Sequence, residues 1–374
     1  MARGSKYELL IDGTSRWKAR SEDDVRAWLR EYCEEHAQDD PDATHVQIRR
    51  LSTWSWLTGG KLVGRQQFLV VVLALACAAP AQAALKPGDK ATIDVSVATL
   101  WKAPNLYRGI DRPSVGNPVD PAKWSDNLST TASRVWLDSH VQTQALYAQT
   151  VTVLALRGGW AKIAVRDEPD PQDAHGYPGW VPRSQLATGF DETGSSMVVV
   201  ARTAVVRLGG GRTLTLSYGT RLPVMGESAG GARWLVRTPD GAGSVARAAL
   251  APSYIYSGTS IVAQAKRFLG VHYLWGGLSA WGYDCSGIIW AVYRAHGMTI
   301  PRDADPQFRH GTAVSLQALQ PGDLLFYGTE RYVHHVSIYA GAGRMLEAPD
   351  SAHRVRLVPV RHGGLVGARR YTRS

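Results

Sequence analysis

Hydrophobic positions along this 374-residue chain follow different rhythms in successive stretches. From Asp89 to about Ala187, short β-rich runs (ATIDVSVATLW, QTVTVLAL, WAKIAV, GYPGWVP) alternate with long Pro/Gly/Asp loops. That spacing predicts a small all-β domain, over 84–190, and not βαβ units. A second, shorter β-rich stretch runs from Met197 to about Leu250 (MVVVARTAVVRL, TLTLSYGTRLPVMG, ARWLVRTPDGAGSVA), giving a domain over 191–252. Both have the size and turn spacing of small barrels, which usually bind and do not catalyse. After Ser257-Gly258, SIVAQAKRFLG places Ile261, Ala265, Phe268 and Leu269 on one helical stripe. DCSGIIWAVYRAHG predicts a second helix, and PGDLLFYG, RYVHHVSIYAG and RMLEAP predict consecutive strands joined by tight Gly turns. A helix packed on an antiparallel sheet makes 255–374 an α+β domain.

Upstream, residues 1–60 read as a small α/β piece: YELLI as a strand before Asp12-Gly13, SEDDVRAWLREYCEEH as a helix capped by Ser21, and THVQIRR as a second strand. No catalytic constellation is visible there, and Cys33 sits on the amphipathic helix as an incidental thiol. Residues 61–83 differ in kind. A basic flank (Lys61, Arg65), an apolar run from Phe68 to Ala79, Pro80 and then Ala81-Gln82-Ala83 form the layout of a secretory signal cleaved after Ala83. More than sixty residues precede it, which leaves three readings open: a true start near Leu62 or Val63, a signal anchor that tethers the chain to a membrane through residues 66–85, or a lipoprotein site at Cys77. Cleavage would leave residues 84–374 with a single thiol, Cys285, in the periplasm, cell wall or extracellular space.

Composition refines this. Hydrophobic residues make up 44% and charged residues 20%, with three cysteines, which excludes a disordered or disulfide-built protein. Residues 1–65 hold eleven Lys/Arg and eleven Asp/Glu, so the formal +10 falls entirely on residues 66–374, with 31 basic against 21 acidic residues. The basic residues are mostly arginines scattered over β-rich segments with no nucleic-acid motif. An acidic polymer such as a carboxylate-rich wall is the partner they suit, and no nucleic-acid partner is expected.

The candidate chemistry starts at Asp284-Cys285. Asp284 precedes the second helix and caps its free amides, which puts Cys285 in the first turn, at the positive end of the helix dipole where a thiolate is favoured. Gly297 closes the helix. A nucleophile of this type needs a base, and RYVHHVSIYAG offers His334 and His335 on opposite strand faces. A turn centred on Ala342 would set Ser337 opposite Glu347 and place Glu347 diagonal to His335 on one face. Only the His335 face then offers a carboxylate to orient an imidazole. No zinc-ligand spacing accompanies the histidines, and no metal or cofactor is implied.

The stretch YLWGGLSAWGYDCSGIIWAVYRAHGMTIPRDADPQ, with PGDLLFYG and HHVSIYAG, resembles the NlpC/P60 family of papain-like cysteine peptidases of bacterial cell walls. Upstream, VATLWKAPNLYRGIDRPSVGNPVDPAKW, TQALYAQTVTVLALRGGWAKIAV and GYPGWVPRSQL are similar to the first SH3b domain of the subgroup that cleaves the γ-D-glutamyl to L-diamino acid bond of peptidoglycan stem peptides. The resemblance implies an α+β, papain-like catalytic domain preceded by two SH3b-like barrels. It implies Cys285 as nucleophile and His335 as general base, with Glu347 at the third position, where His is commoner in the family. For substrate binding it implies Asp284 and Ser286 beside the D-Glu, Asp303 on the free amine of an N-terminal L-Ala, and Tyr147 reaching from the first SH3b domain to close the groove. Ala304 and Ala148-Gln149 depart from the family's usual residues.

Overall fold

The computed structural model describes residues 7–11, 14–19, 46–50 and 85–372. The chain divides into two units, Met1–Ala84 and Leu85–Ser374. In the first, Tyr7–Ile11 pairs antiparallel with both Thr14–Ala19 and Val46–Arg50. The strand at Thr14–Ala19 is additional to those the alternation predicts. The helix expected after Ser21, the export segment 61–83, Cys33 and Cys77 lie outside the described residues.

Two antiparallel sheets open the second unit. One contains Lys90–Ile93, Val97–Trp101, Val141–Leu146, Thr150–Arg157, Trp160–Val165, Tyr177–Pro182 and Leu186–Ala187. The other contains Ser196–Val199, Thr203–Arg207, Thr213–Ser217, Arg221–Glu227, Arg233–Thr238, Gly241–Ala246 and Leu250–Ala251. In the first sheet, numbered along the chain, the strands run seventh, first, fourth, fifth, sixth, second, third across the sheet. The second sheet, numbered likewise, runs third, second, sixth, fifth, fourth, first, seventh, which is the same order read from the other edge. The frame is therefore repeated. The expected closed barrels are not formed: among the described residues the third and seventh strands do not pair in either sheet. Each seventh strand is only two residues long and directly follows a single 3-10 turn.

The copies differ between their second and third strands. Residues 208–212 suffice in the second sheet, whereas the first inserts residues 102–140, which alternation leaves as loop. This insert folds because it carries its own helix starts: Asp120 accepts from the Lys123 amide ahead of Pro121–Asn127, and Thr130 with Ser133 forms a capping box ahead of Thr131–Val135. Trp124 is buried with Trp101 and Leu137, and its Nε1 donates to Asp111 at 2.9 Å.

In the last domain, helix α1 is Gly258–Lys266, α2 Cys285–Ala295 and α3 Ala304–His310. Strand β1 is Thr312–Val314, β2 Leu324–Thr329, β3 Tyr332–Gly341, β4 Arg344–Glu347, β5 Arg356–Pro359 and β6 Leu365–Arg370. They form one sheet in the order β1-β6-β2-β3-β4-β5. Every residue of α2 is buried, as expected for a helix enclosed on all sides. Ile288, Ile289 and Val292 share a core with Val336, Ile338 and Leu346 of the sheet. Elsewhere on α2, Arg294 donates to Asp167 of the first β domain at 2.7 Å and to the Gly219 carbonyl of the second at 3.2 Å. Gly287 must stay small, since a Cβ there would lie 2.1 Å from the Gly277 carbonyl oxygen. The α3 helix escapes the periodicity because it is a single short element.

Candidate active site

Cys285 is the first residue of α2 and is a free thiol. Asp284 caps the helix, its Oδ1 accepting from the Gly287 amide at 2.6 Å. The thiol thus sits at the end of the helix where the unpaired amides point, with a capping carboxylate that holds the turn.

The histidine is set by a bulge. Tyr327 pairs with His335 but Gly328 pairs with Val333, so His334 is an extra residue in β3. Val333 turns into the helix-facing core with Val336 and Ile338, His334 is exposed, and His335 is buried. Gly328 permits this: its φ is +142°, and a Cβ there would meet the Tyr332 carbonyl oxygen at 2.4 Å. Farther along, Ile338 pairs with Leu346 and Tyr339 with Met345, the register that brings Glu347 beside His335. His335 Nε2 and Glu347 Oε2 are 2.9 Å apart. With Nε2 engaged by the carboxylate, Nδ1 is the nitrogen left for the thiol.

The imidazole is strongly biased towards its charged form. Burial of His335 opposes the charge, but hydrogen bonding to Cys285 and then to Glu347 outweighs it and raises the pKa to about 9. Burial likewise pushes Glu347 up, yet bonds from His335 and Arg356, together with the charges of His335 and Arg361, bring it down to about 2. Its second oxygen, Oε1, accepts from Arg356 Nε and Nη2 at 3.0 and 2.8 Å and from Arg361 Nη1 at 2.9 Å.

A second constellation surrounds Arg302, which periodicity and spacing do not single out. Its guanidinium is fully buried and donates to Asp284 Oδ1 and Oδ2 at 3.0 and 2.8 Å, to Ser286 Oγ at 3.0 Å and to Thr143 Oγ1 of the first β domain at 2.9 Å. Asp284 and Ser286 are therefore both buried and held in place by one cation that also ties the catalytic helix to the neighbouring domain. Asp303, the next residue, is half-buried and accepts from Tyr177 Oη at 2.8 Å. Burial raises the Asp303 carboxyl to about 6, with Arg302 pulling against it.

Tyr147 requires a correction. It is fully buried and donates its hydroxyl to Asp240 of the second β domain at 2.6 Å, so it cannot close a groove at Asp303. Tyr177, at the start of the first domain's sixth strand, is the tyrosine that meets Asp303. Both tyrosines lie in β-rich runs, and only the long-range fold tells which of them meets the catalytic domain.

A cavity of about 320 Å³ opens beside the imidazole, lined by Tyr327, His334, His335, Asp350, Arg356 and Arg361 among others. A thiol at a helix start, an imidazole and an orienting carboxylate on an α+β scaffold define a cysteine peptidase.

The NlpC/P60 family matches residues 270–369. The chain is 38% identical over 327 residues to a γ-D-glutamyl-L-lysine dipeptidyl-peptidase of Bacillus cereus, covering 81% of this chain and 97% of that protein. It is 33% identical over 276 residues to the protein of the same name in Bacillus subtilis, covering 71% and 92% respectively. A crystal structure of an NlpC/P60 family protein from Bacillus cereus superimposes with a TM-score of 0.72 at 38% identity, over 76% of this chain and 99% of that one. The chain belongs to the NlpC/P60 family.

Proposed function

We propose that this protein is an exported cysteine peptidase that hydrolyses the γ-D-glutamyl to L-diamino acid bond of peptidoglycan stem peptides, favouring peptides with a free N-terminal L-Ala. Support for the bond comes from the two Bacillus relatives, whose names specify a γ-D-glutamyl-L-lysine dipeptidyl-peptidase. Support for the free-amine preference comes from one contact above all, Tyr177 Oη on Asp303 Oδ2 at 2.8 Å, which sets a carboxyl group against a wall supplied by another domain. A carboxylate in such a corner pairs with an ammonium group and rejects the amide that replaces it in intact wall. Leaving this half-buried acid without that ammonium costs on the order of 1–3 kcal/mol, roughly a five- to hundredfold discrimination.

In this reaction the Cys285 sulfur attacks the γ-carbonyl of D-Glu, and the Cys285 backbone amide at the helix start stabilises the oxyanion. The proton held on His335 Nδ1 passes to the leaving amine of the diamino acid as the C–N bond breaks. His335 then takes a proton from water, which attacks the thioester and releases L-Ala-D-Glu with the thiolate–imidazolium pair restored. Glu347 keeps Nε2 engaged throughout, so the exchangeable proton stays at Nδ1. Peptidoglycan peptides outside the cytoplasmic membrane are the partner, consistent with the signal-like segment 61–83.

The test is a comparison of L-Ala-γ-D-Glu-L-diamino acid peptide, its N-acetylated form and intact sacculi. Cleavage of the free peptide with at least tenfold loss on acetylation is expected. Equal cleavage of acetylated peptide, or cleavage of sacculi alone, refutes the preference, and hydrolysis by Cys285→Ala refutes the mechanism. Amino-terminal sequencing of the exported chain is expected to begin at Ala84.

A further inference from the structure

A carboxylate such as Glu347 orients a catalytic imidazole but, left bare, would hold the imidazolium proton tightly. Such an imidazolium is a weak acid, and the leaving amine must be protonated by it. The structure meets this difficulty with the two arginines on the far side of the carboxylate. Three of their N–H groups converge on Oε1, at 3.0, 2.8 and 2.9 Å, while Oε2 faces His335 Nε2. Glu347 is fully enclosed, so this arrangement fixes its rotamer and divides its charge between three cations. The arginines come from β5 and from the segment after it, not from the hairpin that carries His335 and Glu347.

We propose that Arg356 and Arg361 are positioning residues that form one functional unit with Glu347, pinning its carboxylate on His335 and drawing off negative charge so that the imidazolium is a stronger acid than an unclamped Glu347 would leave it. This rests on the cysteine peptidase reading of the site. Arg361 also lies over the Tyr327 ring, its Cζ 5.0 Å from the centroid, and the Tyr327 and His335 rings are 5.6 Å apart. The charged and titratable groups facing this unit are Cys285 from α2, Tyr327 from β2, His334 and His335 from β3, Asp350 after β4, Arg356 from β5 and Arg361 beyond it. Asp350 feels the charge of Arg356 but is itself paired with His353 at 2.7 Å, while Arg356 is bonded to Glu347.

Arg361 is the residue to change, since its side chain is 43% exposed and Arg361→Gln removes a charge without opening a core. The His335 titration is followed by NMR on ¹⁵N-histidine-labelled full-length protein, assigned with His335→Gln, which requires no substrate. In Arg361→Gln the midpoint is expected to rise by about one pH unit. For hydrolysis of the stem peptide, kcat is expected to fall about tenfold with KM little changed, and Arg361→Lys to recover most of it. In a Glu347→Gln background the same Arg361 change should move neither quantity, because its route to the imidazole is gone. An unmoved midpoint with unchanged kcat overturns the proposal. So does a rise in KM alone, which would make Arg361 a substrate contact in the adjoining cavity, or an undiminished shift in the Glu347→Gln background. A wild-type protein that titrates as described but cleaves no peptidoglycan peptide refutes the proposed activity and leaves the charge coupling standing.

Discussion

Replacing Arg302 with Met should be among the most damaging single changes in the second unit. The guanidinium makes two bonds to Asp284, one each to Ser286 and Thr143, and a longer one of 3.4 Å to the Gly277 carbonyl. Methionine roughly keeps the length of the side chain but leaves the buried Asp284 carboxylate without its cation. Breaking a buried pair from one side costs about 3–5 kcal/mol, because the surviving charge is desolvated and unpaired. In a cooperative unit of this size about 2 °C of Tm accompanies each kcal/mol, so a fall of roughly 6–10 °C is expected. Differential scanning calorimetry reads it directly. The reasoning makes a second demand: Arg302→Met/Asp284→Asn should recover part of the loss, since Asn still caps a helix and carries no charge to strand. A single variant that loses under about 1 kcal/mol, or a double variant no more stable than the single, would refute it. Peptidase activity should fall with stability, as Arg302 fixes the turn from which Cys285 projects.

Three further outcomes are expected. His335, raised to about 9 from 6.5 in the folded protein, contributes stability that is complete below pH 6.5 and lost as pH rises through 9; Tm should decline over that window in wild type and not in His335→Gln. Glu347, lowered to about 2 from 4.5, contributes above pH 4.5 and should release its share only as pH falls towards 2, read in the same way against Glu347→Gln. Tyr147→Phe should leave the kinetics of stem-peptide hydrolysis unchanged, whereas Tyr177→Phe should abolish most of the discrimination against N-acetylated peptide.

The placement of Cys285 at a helix start and of His335 beside Glu347 is legible in the sequence because its determinants are local. Asp284, Cys285 and Gly287 sit within one helical turn, and the register that joins His335 to Glu347 follows from a hairpin whose turn residue Ala342 has a φ of +50°. Arg302 is not legible in the same way. Its partners Thr143 and Asp284 are 159 and 18 residues away, and an arginine beside Pro301 carries no sign that it will be buried. The choice between Tyr147 and Tyr177 fails for a related reason: strand alternation says that a tyrosine faces inward, not which domain lies on that side. Segment 102–140 reads as loop although its caps, Asp120-Pro121 and Thr130 with Ser133, are present in the sequence. Its helices are seven and five residues long, below the length at which hydrophobic period is informative.

The repeated β frame has a functional corollary. In the first copy the sixth strand begins with Tyr177, and in the second the equivalent strand begins with Gly241. The first copy thus carries the aromatic that meets Asp303, and both copies brace α2, through Asp167 of the first and Gly219 of the second. Substitution at Tyr177 alone would therefore change what stands against Asp303, while the contacts at Thr143, Asp167 and Gly219 that hold Arg302 and α2 stay as they are.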